Sequence, residues 1–481
     1  MAMNIFGLWR LFHRPNLRSQ RHTSMLAIIA FASASAIFLT VLGGVHAFIW
    51  RASSDHTLAC LINEHACVAI SAPGGASAAT QQDPLAGAYV VLAVFACLLL
   101  VVPFTALAAS AARLAASRRD ARLAALRLVG ATVPQVSGLT ALDAAGQALS
   151  GALLGIGGYL ALMPLVMLVP FQNQRFTFAQ LWVGPWALLA VCLGVTIMAL
   201  VSALAALRRV AITPLGVTSR ASQPLPAAWR VAVFAGAIAL AIGAFRTPQL
   251  AAHMGQSAMI AIVIGFIMLC FFLVNLVGTW AIAVRVKSRL RRPRNAATMI
   301  AMRRILDNPK RAWRNVSGIA LAVFIAGITS VCAMFSQAAD TSAGHDDSSM
   351  ILIRDIGTGG LLTLVFAAIL AAVSCGVMQA GNVYEQAEEY RMLALEGTDT
   401  RTLSLARFAE VLTPLNVVVV IAGGCSMALM LPLMAGAMTN AATLLAFFGG
   451  IALCYALVSI GAFASNRVAA KLDLLDYRAD D

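Results

Sequence analysis

The sequence predicts an all-α integral membrane protein with ten transmembrane helices. Hydrophobic residues make up 60% of its 481 residues, charged residues only 11%, and the mean hydropathy is +0.84. Soluble domains are about 25% charged and roughly half apolar, so this composition excludes an ordinary globular enzyme. A transmembrane helix needs about 20 consecutive, mainly apolar residues. The ten apolar segments cover residues 25–48, 87–109, 139–163, 183–206, 231–246, 257–283, 315–336, 357–380, 411–433 and 442–465.

The positions of lysine and arginine support this topology and place both termini in the cytoplasm. Of the 34 basic residues, 30 fall in the segments that ten spans place inside, as the positive-inside rule requires. The other four are Arg51, Arg175, Arg246 and Arg354. The net charge of +14 therefore follows the membrane topology. We expect the lipid bilayer as a partner, with the basic inner segment 285–314 anchored to anionic headgroups, and no nucleic acid.

The two halves of the chain contain an internal repeat. LWRLFHRP (8–15), before the first span, matches MRRILDNP (302–309), which stands 294 residues later before the seventh span. LRLVGATVPQVSGLTALD (126–143) matches LALEGTDTRTLSLARFAE (393–410), which stands 267 residues later. Both copies have the same orientation, so the sequence predicts two parallel four-helix repeats joined by a two-helix middle pair. The expected sections are a first four-span unit at 1–210, the linker and middle pair at 211–290, and a second four-span unit at 291–481.

Each repeat begins with a short amphipathic helix that ends at a proline, Pro15 or Pro309. Basic amphipathic helices beside a span normally lie in the plane of the lipid headgroups. We therefore expect interfacial helices before the first and seventh spans. Their basic residues include Arg10, Arg14, Arg303, Arg304, Lys310 and Arg311.

A charged inner segment follows the second span and the eighth span, and each segment reaches a glycine. Gly130 and Gly397 suit helix C-caps, because glycine enters the left-handed conformation without strain. The first segment is mainly basic and the second mainly acidic. On the residues alone, both segments are solvated helix ends that carry anchoring charge. The charged residues are Arg118, Arg119, Asp120, Arg122, Arg127, Glu385, Glu388, Glu389 and Arg391.

Two acidic residues, Asp143 and Glu410, occupy matching positions in the repeat, early in the third and ninth spans. A charged carboxylate within the bilayer is costly, so such residues usually have a partner. One interpretation pairs each acid with a basic residue of the amphipathic helix and gives the pair a coupling role. The alternative is an interfacial acid that reaches the headgroups. A proton relay has less support, because the span centres hold no chain of ionisable partners.

The first outer loop contains two cysteines, Cys60 and Cys67. An extracytoplasmic loop lies in an oxidising compartment, so a disulfide between them is one interpretation. The alternative is a metal site that also uses His56 and His65, although the spacing fits no standard zinc pattern.

Glycines in the spans allow close helix packing. They include Gly155, Gly157, Gly158, Gly423, Gly424, Gly449 and Gly450.

The amphipathic helix that ends in NPKR, the glycine segments and the matched acids together resemble the FtsX-like permease family. These proteins are membrane subunits of type VII ABC transporters, and the ten-span arrangement is most similar to the BceB-like branch. The resemblance covers nearly the whole chain apart from the middle pair and the outer loops. Relatives carry a large outer domain, whereas the first and fourth outer loops here have only about 38 and 20 residues. This departure leaves the substrate open.

The resemblance implies a bacterial plasma-membrane permease that works with a cytoplasmic ATPase present in two copies. The charged inner segments, including Gly130 and Gly397, would dock on that ATPase. The sequence contains no G-x-x-x-x-G-K-[ST] phosphate loop, so ATP and Mg²⁺ are expected on the partner, and the chain itself is expected to bind no cofactor and to be no enzyme. ATP hydrolysis would then drive export or extraction of an amphiphilic substrate such as an antibiotic, peptide or lipid.

Two other functions stay open. The chain is a non-transporting regulator if it relays ATPase motion to an extracytoplasmic protein partner, such as a hydrolase or a sensor kinase. It is a secondary transporter if an ion gradient drives it, but such a transporter needs ionisable residues at the membrane centre, and the spans contain few.

Overall fold

The computed structural model confirms an α-helical, multi-pass membrane protein. It describes residues 18–52, 86–117, 132–211, 229, 232–236, 239, 256–292, 295–341, 348–385, 392–393, 395–430 and 441–470. The helices are α1 (Arg18–Ala52), α2 (Ala86–Ser117), α3 (Val133–Met167), α4 (Phe178–Leu181), α5 (Gly184–Ala211), α6 (Gln256–Leu290), α7 (Ala296–Asp307), α8 (Pro309–Thr341), α9 (Ser348–Glu385), α10 (Thr400–Met430) and α11 (Ala441–Ala470). Strands β1 (Pro170–Phe171) and β2 (Gln174–Arg175) form an antiparallel pair.

Within the described residues, seven segments are long and apolar enough to cross a membrane. They are Ser24–Ala52, Gly87–Thr105, Ala141–Met167, Phe178–Leu204, Ile351–Asn382, Arg401–Ala428 and Thr443–Phe463. These segments overlap the predicted spans one to four and eight to ten. The 35-residue α6 and the 33-residue α8 cover the sixth and seventh. Few residues of the fifth are described, so the count of ten stays a prediction.

The first group of helices comprises α1, α2, α3 and α5. Helix α1 packs against α2 and α3, and α5 packs against both α2 and α3. Glycines on one face of α3 bring it close to α1. A Cβ atom on Gly151 would lie 2.5 Å from Phe31 Cβ, and one on Gly155 would lie 2.6 Å from Ser35 Cβ. Because these glycines are four residues apart, they share one helix face and let the two backbones approach.

The second group comprises α8, α9, α10 and α11. Helix α8 packs against α9, α10 and α11, and α9 packs against α11. Small residues again mark the close contacts: a Cβ atom on Gly450 would lie 2.8 Å from Ala326 Cβ. Helices at corresponding places in the two halves of the sequence thus make corresponding contacts: α1 with α2 and α3 in one group, and α8 with α9 and α10 in the other.

The two groups meet mainly through α2 and α9. Helix α1 also contacts α9, and α2 also contacts α8. The remaining long helix, α6, packs against α8 and α10 of the second group. There the Trp313 Nε1 donates to Asn275 Oδ1 at 3.1 Å, and the Trp313 ring fills the space beside Gly278.

Helix α7 is the amphipathic helix predicted before the seventh span. Its apolar face packs against protein, since it contacts α10 and α6. Arg303 on the other face is exposed. The helix ends at Asp307, and Pro309 opens α8, where its missing N–H costs nothing. The buried residues of α7 are Ala297, Ala301, Met302 and Ile305.

Candidate functional site

The loop between α3 and α5 folds into a cap over one end of the helices, which the predicted topology places outside the membrane. Strands β1 and β2 form a hairpin whose turn is made by Gln172 and Asn173, with φ of 54° and 59°. Positive φ at both central residues is the geometry that favours a two-residue hairpin. The short helix α4 follows, and Tyr159 of α3 donates its hydroxyl hydrogen to the Leu181 carbonyl. The loop therefore has a defined, hydrogen-bonded structure.

Arg51, in the last turn of α1, holds this hairpin. Its Nη1 donates to the Phe171 carbonyl at 3.0 Å and to Gln172 Oε1 at 3.1 Å. Its Nη2 donates to the Arg175 carbonyl at 3.2 Å and to Gln180 Oε1 at 3.3 Å. One guanidinium group thus ties the first helix to both strands and to α4.

Asp355 of α9 binds the same hairpin from the second group of helices. Only 3% of this residue is exposed. Its Oδ2 accepts a hydrogen bond from the Tyr89 hydroxyl of α2 at 2.9 Å and from the Gln172 N–H at 2.6 Å. Its Oδ1 is buried and has no hydrogen-bond partner in the described part of the chain. The neighbouring Arg354 donates to Asn173 Oδ1 at 3.1 Å. The hairpin therefore bridges the two helix groups.

Four aromatic rings surround this bridge. The Phe48 ring stacks on Tyr89 with centroids 5.6 Å apart, and meets Phe171 and Phe176 edge-on at 5.6 and 5.4 Å. The Arg51 guanidinium lies 4.3 Å from the Phe176 centroid, within cation–π range.

A cavity of about 210 Å³ lies beneath the hairpin, between the two groups of helices. It is lined by α1 and α2 on one side, by α8 and α9 on the other, and by the four aromatic rings. The lining is almost entirely apolar. Its polar lining residues are Tyr89 and Asp355 near the hairpin and Thr40, Thr329 and Thr363 elsewhere. Such an apolar cavity with a few fixed polar groups is typical of a binding site for an amphiphile. Because the predicted topology places this end of the helices outside the membrane, we refer to it as the outer cavity.

At the other end of the second group, Glu410 of α10 pairs with Arg304 of α7. The distance from Arg304 Nη1 to Glu410 Oε1 is 3.4 Å, and both side chains are mostly buried. Of the two interpretations of Glu410, the ion pair therefore matches the one that pairs it with a basic residue of the amphipathic helix. Nearby, Arg311 at the start of α8 donates to Asn382 Oδ1 of α9 from Nε and Nη2, at 3.0 and 2.6 Å. These polar contacts join α7 to α10 and α8 to α9.

The glycine before α10 has the conformation that the sequence predicts. Gly397 has a φ of 88°. The Thr398 N–H donates to the Leu393 carbonyl at 3.0 Å, and the Glu396 N–H donates to the Met392 carbonyl at 3.0 Å. The first of these bonds spans six residues and is the characteristic bond of a Schellman C-cap. A short helical turn therefore ends at Gly397 before the chain enters α10.

The other predicted site residues stay untested. Glu385 is the last residue of α9, Asp143 lies on α3 with intermediate exposure, and Arg303 and Lys310 are exposed. The remainder fall outside the described residues. These are Arg10, Arg14, Cys60, Cys67, Arg118, Arg119, Asp120, Arg122, Arg127, Gly130, Glu388, Glu389 and Arg391.

The outer cavity and its cap were not predicted from the sequence. A signal was present, because the Gln-Asn dipeptide at 172–173 lies between aromatic residues and suits a tight turn. Asp355 also stands out as an acid just before a long apolar segment. Nothing local shows that it pairs with Tyr89, 266 residues away in the chain.

No protein-family model matches the chain, and no curated protein matches it. The arrangement of the residues themselves must therefore carry the functional argument.

Proposed function

We propose that this chain is an FtsX-like permease, the transmembrane subunit of a bacterial ABC transporter whose ATP is hydrolysed by a separate cytoplasmic ATPase. In this proposal ten spans form two parallel four-helix units and a middle pair, with both termini in the cytoplasm. The observation that carries the proposal is the matching set of helix contacts in the two groups, which meet along α2 and α9 around an apolar cavity.

The contacts across the interface support a two-fold relation between the units. If α1 corresponds to α8 and α2 to α9, the contact of α2 with α9 maps onto itself. The contact of α1 with α9 then maps onto that of α8 with α2, and both are present. A membrane protein built in this way offers two corresponding inner surfaces, one basic and one acidic, which suits an ATPase that acts as a pair.

The polar contacts at the inner end connect the proposed docking segment to the helices, so they can transmit a movement of the ATPase. The proposed docking segment connects α9 to α10, and it is bounded by the capped turn at Gly397. The Arg311–Asn382 hydrogen bonds tie α9 to α8, and the Arg304–Glu410 pair ties α10 to α7. A displacement of the segment therefore acts on α8 to α10 together, and α9 lines the outer cavity.

The outer cavity favours a transporter of amphiphiles over a regulator that only relays motion. A relay needs a rigid link between its two faces, whereas an apolar cavity at the moving interface suits export or extraction of an amphiphilic molecule. A change in the α2–α9 contact alters the cavity walls directly, because both helices line it.

The test is purification of the tagged protein from its native membrane, with identification of bound proteins and measurement of ATP hydrolysis. We expect an ATPase to be recovered with the wild-type chain and to be lost when Arg118, Arg119 and Arg122 are changed to glutamate. The matched control reverses Arg289, Arg291 and Arg292, three exposed arginines near the inner end of α6. Recovery of no ATPase with the wild-type chain would refute the proposal, and equal loss in both variants would refute the assigned docking surface.

A further inference from the structure

We propose that the outer cavity binds an amphiphile with a protonated amine head group, held by Asp355 and by the rings of Phe48, Tyr89 and Phe171. This inference rests on the proposed function as a permease and names the substrate class of that site. The four residues lie on α1, α2, the hairpin and α9, and all four line the cavity.

The hydrogen bonding of Asp355 is incomplete. A buried carboxylate is normally satisfied at both oxygens, because a charged acceptor without donors is unfavourable away from water. Here Oδ2 accepts two hydrogen bonds, while Oδ1 is buried without a partner in the described part of the chain. An ammonium group supplies N–H donors and a positive charge, and so completes the site.

The ring cluster also suits an ammonium group. The faces of aromatic rings are electronegative, and cages of such rings recognise ammonium groups. Phe48 lies at the centre of the cluster, with Tyr89 and Phe171 both 5.6 Å away between ring centroids. The aromatic rings and the carboxylate at one end of the cavity repel an anionic head group. They attract a neutral head group less strongly than a cationic one.

Two arginines near this site have other partners. Arg354 donates to Asn173 Oδ1, and Arg51 donates to four oxygens of the cap. Arg51 also covers a face of Phe176, which is why we leave that ring out of the proposed site. Both guanidinium groups donate to the hairpin and act on the Asp355 carboxylate only through their charge, so neither supplies the missing hydrogen bond to Oδ1.

The rest of the cavity suits the hydrocarbon part of the ligand. Below the ammonium site the walls are apolar side chains from both helix groups, and burial of an alkyl chain against them is favourable. Representative lining residues are Val41, Val45, Leu92, Leu99, Ile325 and Phe366.

The test measures binding of octylammonium, octanol and octanoate to the full-length protein in zwitterionic nanodiscs by isothermal titration calorimetry, with empty nanodiscs subtracted. We expect saturable binding of octylammonium at least tenfold tighter than that of the other two. Asp355→Asn should weaken octylammonium binding at least tenfold and leave octanol binding unchanged. The matched control is Asp307→Asn, which removes an exposed acid at the end of α7 and should leave octylammonium binding unchanged.

Two results overturn the inference: equal binding of the three probes to the wild-type protein, or unchanged octylammonium binding after Asp355→Asn. If Asp355→Asn does not fold, the wild-type comparison still decides, and Phe48→Leu should weaken octylammonium binding severalfold. The assay contains no ATPase. If the protein selects the amine but no ATPase co-purifies with it, the permease proposal is refuted and the amine site stands. If an ATPase co-purifies but the protein does not select the amine, the amine site is refuted and the permease proposal stands.

Discussion

The Arg304–Glu410 pair permits a quantitative prediction about the end of the second helix group that lies away from the hairpin. The perturbations are Arg304→Gln, Glu410→Gln and the double variant. The charged atoms are 3.4 Å apart, and the side chains are 14% and 17% exposed. At this distance Coulomb's law gives about 5 kcal/mol for an effective dielectric constant of about 20 and about 1 kcal/mol in bulk water. Desolvation of both groups offsets part of the larger value, so we expect a coupling free energy of about 1–2 kcal/mol.

The assay is a double-mutant cycle on the free energy of unfolding, measured in bicelles by steric trapping. The cycle is needed because Arg304 has further interactions, which Arg304→Gln also removes. Arg303→Gln is the matched control: it removes the adjacent, exposed charge and should change the unfolding free energy by less than about 0.5 kcal/mol. A coupling free energy below about 0.3 kcal/mol would show that the two effects simply add, and would refute the pair as a link between α7 and α10.

Two further predictions concern packing and the outer cap. Gly155→Val should lower the free energy of unfolding by about 1–3 kcal/mol, because a Cβ atom there would lie 2.6 Å from Ser35 Cβ. Gly157→Val should change it by less than about 0.5 kcal/mol, because nothing lies within 4 Å of a Cβ atom at that position. Equal losses in the thermal midpoints of both variants would contradict this difference. Arg51→Gln should raise the hydrogen-exchange rate of the hairpin amides severalfold, since it removes most of the donors that hold the cap. The exchange rates of the α11 amides should stay unchanged. Unchanged exchange in the hairpin would show that Arg51 does not hold it.

The sequence predicted those features that depend on local pattern. Within the described residues, seven of its ten apolar segments are helices both long and apolar enough to cross a membrane, and α6 and α8 cover two more. Hydropathy over about 20 residues decides membrane insertion. The repeat drew attention to Glu410 and offered pairing with the basic amphipathic helix as one of two interpretations. The cap of Gly397 followed from the conformational freedom of glycine.

The features that the sequence did not predict depend on contacts between distant residues. Gly155 lies at a close helix contact, whereas Gly157, two residues later, faces open space. The sequence did not distinguish these two glycines, because composition does not tell which face of α3 meets α1. The Gln172 N–H donates to Asp355, 183 residues away in the chain. The position of Asp355 follows only from the packing of α9 against α2. Binding sites built between helix groups are therefore harder to predict than the helices themselves.

The central claim is that ATP hydrolysis at the inner face moves the two helix groups at the outer cavity. The most direct measurement is the distance between genetically encoded spin labels at Val91 of α2 and Leu361 of α9, both exposed, in the complex purified with its ATPase. Pulsed electron spin resonance is recorded without nucleotide and with ATP and vanadate. We predict that trapping the ATPase shifts the distance distribution between α2 and α9. Identical distributions in the two states would contradict the account.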